Sequence, residues 1–283
     1  MRARPYREID VFSGQAYRGN PLAVVLDGSD LDPATMQRFA NWTNLSETCF
    51  LLPPTDPAAD YQVRIFTPAR ELPFAGHPTL GSCHAWLASG GAPRQADALV
   101  QQCAIGLVPL RRSGARLAFR APPMQVSAVD EAQLAAALAA LGLARGRLRK
   151  AAWLDNGPRW LGLLLDSAET VLSLNPDHAA LQPLGLVGVV GPTPAAAVRV
   201  AGACDFEVRA FAASDGIPED PVTGSLNAAL GQWLIGERLA PPSYLVAQGS
   251  RLQRAGRVYV EAREDAIWVG GDSLTCVEGT VML

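Results

Sequence analysis

The chain has no run approaching the roughly 20 apolar residues that a bilayer-spanning helix needs. Its opening stretch, MRARPYREIDVF, turns polar too early for the apolar segment of a secretory leader. A cytoplasmic protein without membrane contact is expected. Charge of one sign is lacking as well: 24 basic and 27 acidic residues mix along the chain to a formal −3, which leaves no basic face for nucleic acid. Histidine is scarce, at three residues, and none has a Cys, His or carboxylate partner at ligand-like spacing, so no metal site is expected. The five cysteines, Cys49, Cys83, Cys103, Cys204 and Cys276, are odd in number and scattered, which excludes a disulfide framework and fits reduced core thiols. A GKS or GKT phosphate-loop ending is missing too. The glycines of GLVGVVGPTP have no capped helix behind them, so nucleotide binding finds no support there. No cofactor is implied.

What is present is a 283-residue chain, 49% hydrophobic, whose 26 glycines and 22 prolines punctuate many short strands. EIDVF, PLAVVL, TCFLL, YQVRIF, GLVPLR and ARLAFR read as strands of a first half. Its helices run from Asp32 and Pro33 and over 78–89. APPMQVSAVD is the candidate linker, followed by an Asp-capped helix that ends at Gly142. The second half has the strands AAWLD, RWLGLLLD, DFEVRAF, SYLVAQG and RVYVEA and a helix over 221–235. The expected domains are 1–123 and 124–283, with the last strand free to return to the first. The class is α+β, because the strands are turn-linked rather than separated by regular crossover helices.

An internal echo carries the most information. RIFTPARELPFAGHPTLGSCHAWL, from Arg64, resembles RAFAASDGIPEDPVTGSLNAALGQWL, from Arg209. Arg64 and Arg209, Phe66 and Phe211, and Pro73 and Pro218 are each 145 apart, while Pro78 and Pro221, Gly81 and Gly224, and Ser82 and Ser225 are each 143 apart. That register sets His77 opposite Asp220. Two related lobes follow, each with a central helix opened by proline. If they face each other about a pseudo-twofold axis, both helix N-termini point into one cleft and favour an anion such as a carboxylate.

The chemical candidates each have a plain alternative. Asp220 before Pro221 is an ordinary helix N-cap. His77 is a poor cap, Pro78 pushes its backbone toward an extended conformation, and its ring suits proton transfer or substrate hydrogen bonding; a satisfied buried histidine is the other reading. Glu47, in NLSETCFLL, lies where a polar turn enters an apolar strand, as an edge carboxylate or as a half-buried base. His84, His178, Cys49 and Cys83 read as structural.

Taken together, GNPLAVVL, NLSETCF, IFTPARELPFAGHPTLG, DGIPEDPVTGS and AQGSRLQRAGRV closely resemble the PhzF-like family of isomerases, in the same order from about residue 7 onward. The resemblance implies the diaminopimelate-epimerase-like fold, two pseudo-symmetric α+β lobes with a sheet wrapped around a central helix in each and the active site between them. It implies Glu47 as general acid/base, with His77, Asp220 and Ser225 as proton-handling and substrate-binding companions. Gly76 and Gly224 are implied as glycines that let backbone amides approach the ligand, and Asn20 with Pro21 as a loop near the site. It further implies a cofactor-independent proton shift within a small carboxylate-bearing substrate, and a homodimer. Racemases of the same fold use two cysteines, which these helix starts lack. The reading from another class is a member that binds a small molecule or a protein and has lost turnover.

Overall fold

β1 (Ala3–Val11), ARPYREIDV, lies between β2 (Asn20–Val25) and the last strand, Ser273–Met282, antiparallel to both. This arrangement is seen in a computed structural model that describes residues 1–194, 196 and 203–283 and divides the chain into two units, 1–120 with 270–283, and 121–269. In the first unit α1 (Pro33–Thr43) makes the crossover from β2 to the parallel β3 (Thr48–Leu52). It starts as its sequence dictates: Asp32 accepts from Thr35 N at 2.9 Å, and Pro33 fills the first helical position. β4 (Tyr61–Phe66) then runs antiparallel to β3 and to the short β5 (Glu71–Leu72). The buried helix α2 (Gly76–Ala88) leads to β6 (Ala98–Cys103), parallel to β4, and a meander through β7 (Gly106–Ser113) to β8 (Arg116–Arg120) closes the run. From Gly76 to Cys83 every residue of α2 is buried, as befits a helix apolar on all sides. It lies tight on the sheet: a Cβ at Gly81 would sit 2.5 Å from Leu22 Cδ2 and 2.9 Å from Val11 Cγ2.

The second unit opens with β9 (Gln125–Ser127) and α3 (Glu131–Leu141), which Asp130 caps and Gly142 ends in the left-handed conformation. β10 (Leu148–Asp155) pairs with β9 and with β11 (Arg159–Leu165). Through α4 (Ala168–Ser173) and α5 (His178–Leu181) the chain reaches β12 (Leu186–Pro192), parallel to β11, and then β13 (Phe206–Ala212) and β14 (Ile217–Asp220), each antiparallel to the strand before it. α6 (Gly224–Gly236) crosses to β15 (Ser243–Gln248), parallel to β13, and β16 (Gly256–Arg263) returns antiparallel. Leu161, Leu163, Val187 and Val189 gather with Leu134, Leu138 and Phe211 in one core cluster. On α6's side of these strands Gly188 leaves room for Leu226, while Gly162 leaves room for Leu154 and lies in ordinary contact range of Trp233. LVGVVG is therefore strand, whose Gly188 and Gly191 serve packing, while Gly185 ends the preceding turn at φ 81°; most of the stretch beyond Pro194 lies outside the described residues.

The helix starts differ from the sequence expectation. α2 begins at Gly76, two residues before Pro78, so His77 is helical rather than extended. α6 begins at Gly224, three residues after Pro221, with Thr223 and not Asp220 at its N-cap. The two starts are 148 apart, as are Glu71 and Glu219, which make matching bidentate pairs with Arg64 (both 2.7 Å) and Arg209 (3.0 and 2.8 Å). The register after the loop is thus 148, which sets His77 opposite Ser225. The second loop is longer by three residues, taken up by the turn Ala213–Asp215 and Gly216 at φ 81°.

Candidate functional site

Asp10 organises the candidate cluster of the first unit. Only 3% exposed in β1, it accepts from Arg18 N at 2.8 Å and Gly19 N at 3.0 Å, folding the turn that delivers Asn20. Gly19 is required there, because a Cβ would lie 2.1 Å from the Val11 carbonyl oxygen. Asn20, fully buried, places its amide nitrogen 3.4 Å from His77 Nδ1. The other ring nitrogen, Nε2, lies 3.4 Å from Glu47 Oε2, with Glu47's side chain 15% exposed where the turn after α1 enters β3. Burial drives the His77 pKa down to about 3 against an opposing backbone hydrogen bond with Pro21. The imidazole is therefore neutral at physiological pH, and its contact with Glu47 is that of a dipole with a carboxyl group rather than an ion pair.

α2 has no side-chain cap at Ala75. Thr79 instead donates its hydroxyl to the Ala75 carbonyl at 2.9 Å, and the buried Gln101 of β6 donates to Thr79 Oγ1 at 3.0 Å. Pro78 has no N–H to offer, so Gly76 and His77 present the first-turn donors.

The second unit repeats this device with more groups. Asn227 donates to the Thr223 carbonyl at 2.8 Å, and the buried Gln248 of β15 donates to Thr223 Oγ1 at 2.9 Å. Thr223 donates its hydroxyl to Asp220 Oδ2 at 2.6 Å. Gly249, at φ 86°, lets the chain turn beside the Pro221 carbonyl, which a Cβ would approach to 2.7 Å. Ser225, the second residue of α6, accepts from Trp160 Nε1 at 3.3 Å through its hydroxyl and from Asn156 Nδ2 at 2.9 Å through its carbonyl.

Of the residues singled out in the sequence, Asn20, Glu47, Gly76 and His77 come together in the first unit, and Asp220, Gly224 and Ser225 in the second. Asp10, Gln101, Asn156, Trp160, Asn227 and Gln248 escaped the sequence reading. A polar residue inside an apolar strand, as in EIDVF or SYLVAQ, is the signal that marks Asp10 and Gln248. His84 bonds Thr275 Oγ1 at 3.0 Å and His178 stacks edge-on against Phe211, both structural. Neither helix start carries a cysteine; Cys83 lies deeper in α2, where burial pushes its thiol up to about 12. Among the described residues no three His, Cys, Asp or Glu side chains group so as to hold a metal ion, and no helix is long and apolar enough to cross a membrane.

A family model described as phenazine biosynthesis-like protein, PhzC-PhzF, matches residues 9–279. The chain belongs to this PhzF-like family. It is 36% identical to the Schizosaccharomyces pombe protein named antisense-enhancing sequence 1, over 99% of each chain. It is 33% identical to the trans-2,3-dihydro-3-hydroxyanthranilate isomerase of Pseudomonas aeruginosa, over 98% of this chain and 99% of that one. A solved PhzF-family structure from Enterococcus faecalis superposes with a TM-score of 0.81 at 27% identity, covering all of both chains. A probable proline racemase from Agrobacterium radiobacter, at 13% identity and TM-score 0.67 over 99% of this chain and 93% of that one, shares the fold. The α+β, diaminopimelate-epimerase-like class read from the PhzF-like motifs is the class observed.

Proposed function

We propose that the protein is a cofactor-independent isomerase of the PhzF type, which moves a proton within a small carboxylate-bearing substrate by general acid/base catalysis. The observation that carries this reading is the contact of Glu47 with a neutral, fully buried His77 at the start of α2. Glu47 removes a proton from an activated carbon and returns it elsewhere on the conjugated system, so the double bond shifts and no net proton is consumed. His77 stays uncharged and orients the substrate by hydrogen bonding, with Asn20 fixing its ring. The first-turn donors at Gly76 and His77 in the first unit, and at Gly224 and Ser225 in the second, each present the positive end of a helix suited to a carboxylate, and Asp220 is an acceptor beside the second of these starts. Family membership and the isomerase name of a relative 33% identical over nearly the whole chain support the reaction class. A homodimer, expected from the family, is tested by light scattering.

The test is solvent deuterium exchange into dihydro-hydroxyanthranilate-like acids. Glu47→Gln keeps the shape and removes the base, so exchange falls about a hundredfold or more while folding and ligand affinity persist. Ordinary exchange in that variant would remove Glu47 from the role of base and leave Asp220 as the next candidate. The alternative reading is a member of the same fold that binds a small molecule or a protein without turnover. Binding of such acids without any exchange by the unaltered protein would support it.

A further inference from the structure

We infer that Gln248 is a positioning residue for Asp220, acting through the hydroxyl of Thr223. The inference rests on the proposed place of Asp220 in the site, and its argument starts from a donor whose direction is unambiguous. The backbone N–H of Thr223 can only donate, and it donates to Gln248 Oε1 at 3.1 Å; the Asn227 amide reaches the same oxygen at 2.8 Å. Two donors on Oε1 settle which end of the Gln248 amide is which. Its nitrogen then faces Thr223 Oγ1 at 2.9 Å and the Asp220 carbonyl at 3.3 Å. A hydroxyl has one hydrogen, and with Oγ1 accepting from Gln248 that hydrogen is left for Asp220 Oδ2, 2.6 Å away. Gln248 is 1% exposed and Thr223 5%, so water does not compete for these bonds.

The matching latch in the first unit sharpens the point. Gln101 bonds Thr79, and Thr79 bonds the Ala75 carbonyl, but Ala75 has no hydroxyl and the chain of bonds stops at backbone. In the second unit the N-cap is a threonine, and the same architecture extends one bond further, to a carboxylate. A glutamine serving α6 alone would need only its bonds to Thr223 N and Asn227. The remaining pair, through Thr223 Oγ1, aims Asp220 and keeps Oδ2 engaged as an acceptor.

The experiment is a double-mutant cycle on the full chain, read by deuterium exchange, melting temperature and the 13C resonance of the Asp220 carboxyl carbon. Thr223→Val is isosteric and removes the hydroxyl; Gln248→Met removes the amide. Each is expected to lower the exchange rate constant about tenfold with a smaller change in KM, and the double variant to be no slower than the slower single. Thr223→Ser keeps the hydroxyl and restores the rate to within a few-fold. The Asp220 resonance moves in Thr223→Val and in Gln248→Met, with or without substrate. Losses that multiply in the double variant, or an Asp220 resonance unmoved by Thr223→Val, would overturn the inference. If the unaltered protein exchanges no acid, the proposed function fails by itself, while the resonance still decides whether the latch sets Asp220.

Discussion

Taken alone, Glu47 at a strand entrance and His77 beside Pro78 each kept a plain structural alternative, and it was the resemblance of NLSETCF and FAGHPTLG to PhzF-like motifs that singled them out. The sequence could not give their relation, since the 3.4 Å contact depends on how α2 lies against β3. Nor could it give the state of His77. A buried ring that titrates near 3 in the folded protein and at 6.5 when unfolded costs stability only on the acid side. Above pH 6.5 neither state binds the proton. As pH falls below 6.5 the unfolded chain takes it up and the folded one does not, so stability is lost progressively toward pH 3, roughly 2 kcal/mol by pH 5. His77→Gln is expected to flatten this part of the pH–stability curve in urea melts, and an unchanged slope would show that the ring protonates in place. His77→Ala in turn weakens both binding and exchange. Asp10 makes a prediction of another kind: Asp10→Ala leaves the Arg18 and Gly19 donors without their acceptor and is expected to cost about 2 kcal/mol in denaturant unfolding.

Both central helices could be read from apolar periodicity, but their first residues could not. Capping rules point to the Asp and Pro nearest the helical pattern, and here tertiary bonds override them. The N-cap carbonyls at Ala75 and Thr223 are taken by Thr79 and Asn227 from one turn inside, and Thr223's hydroxyl is diverted to Asp220. The echo between the halves was legible as motif; its register was not, because three extra loop residues fold into a turn before β14 rather than after it. The close seats of these helices are testable. Gly81→Ala forces a methyl against Leu22 and Val11 and is expected to cost about 1–3 kcal/mol, whereas Trp233→Ala empties the place of a large side chain only 2% exposed and costs about 3–5 kcal/mol. Thermal denaturation followed by circular dichroism measures both, and equal small effects would contradict the packing described.

At the scale of the molecule, the α+β class was legible because short turn-linked strands stand beside a few helices without regular helical crossovers between them. The sequence reading left the last strand free to return to the first unit, but its partner needed the structure: the pairing of Ser273–Met282 with β1 is a long-range choice that no local pattern encodes. A chain ending at residue 272 is expected to lose amide-exchange protection in β1 and β2 while β11 and β12 keep theirs; equal protection in β1 with and without those residues would show that the last strand is dispensable. The same pairing sets an order of events during synthesis. The pairings of β9 to β16 all lie within the contiguous stretch 121–269, whereas β1, made first, must wait on one side for a strand translated after the whole of that stretch. Folding thus runs against the direction of translation: the unit begun first is completed last, and in the interval the open edge of β1 is where a chaperone, or a misplaced strand, would bind.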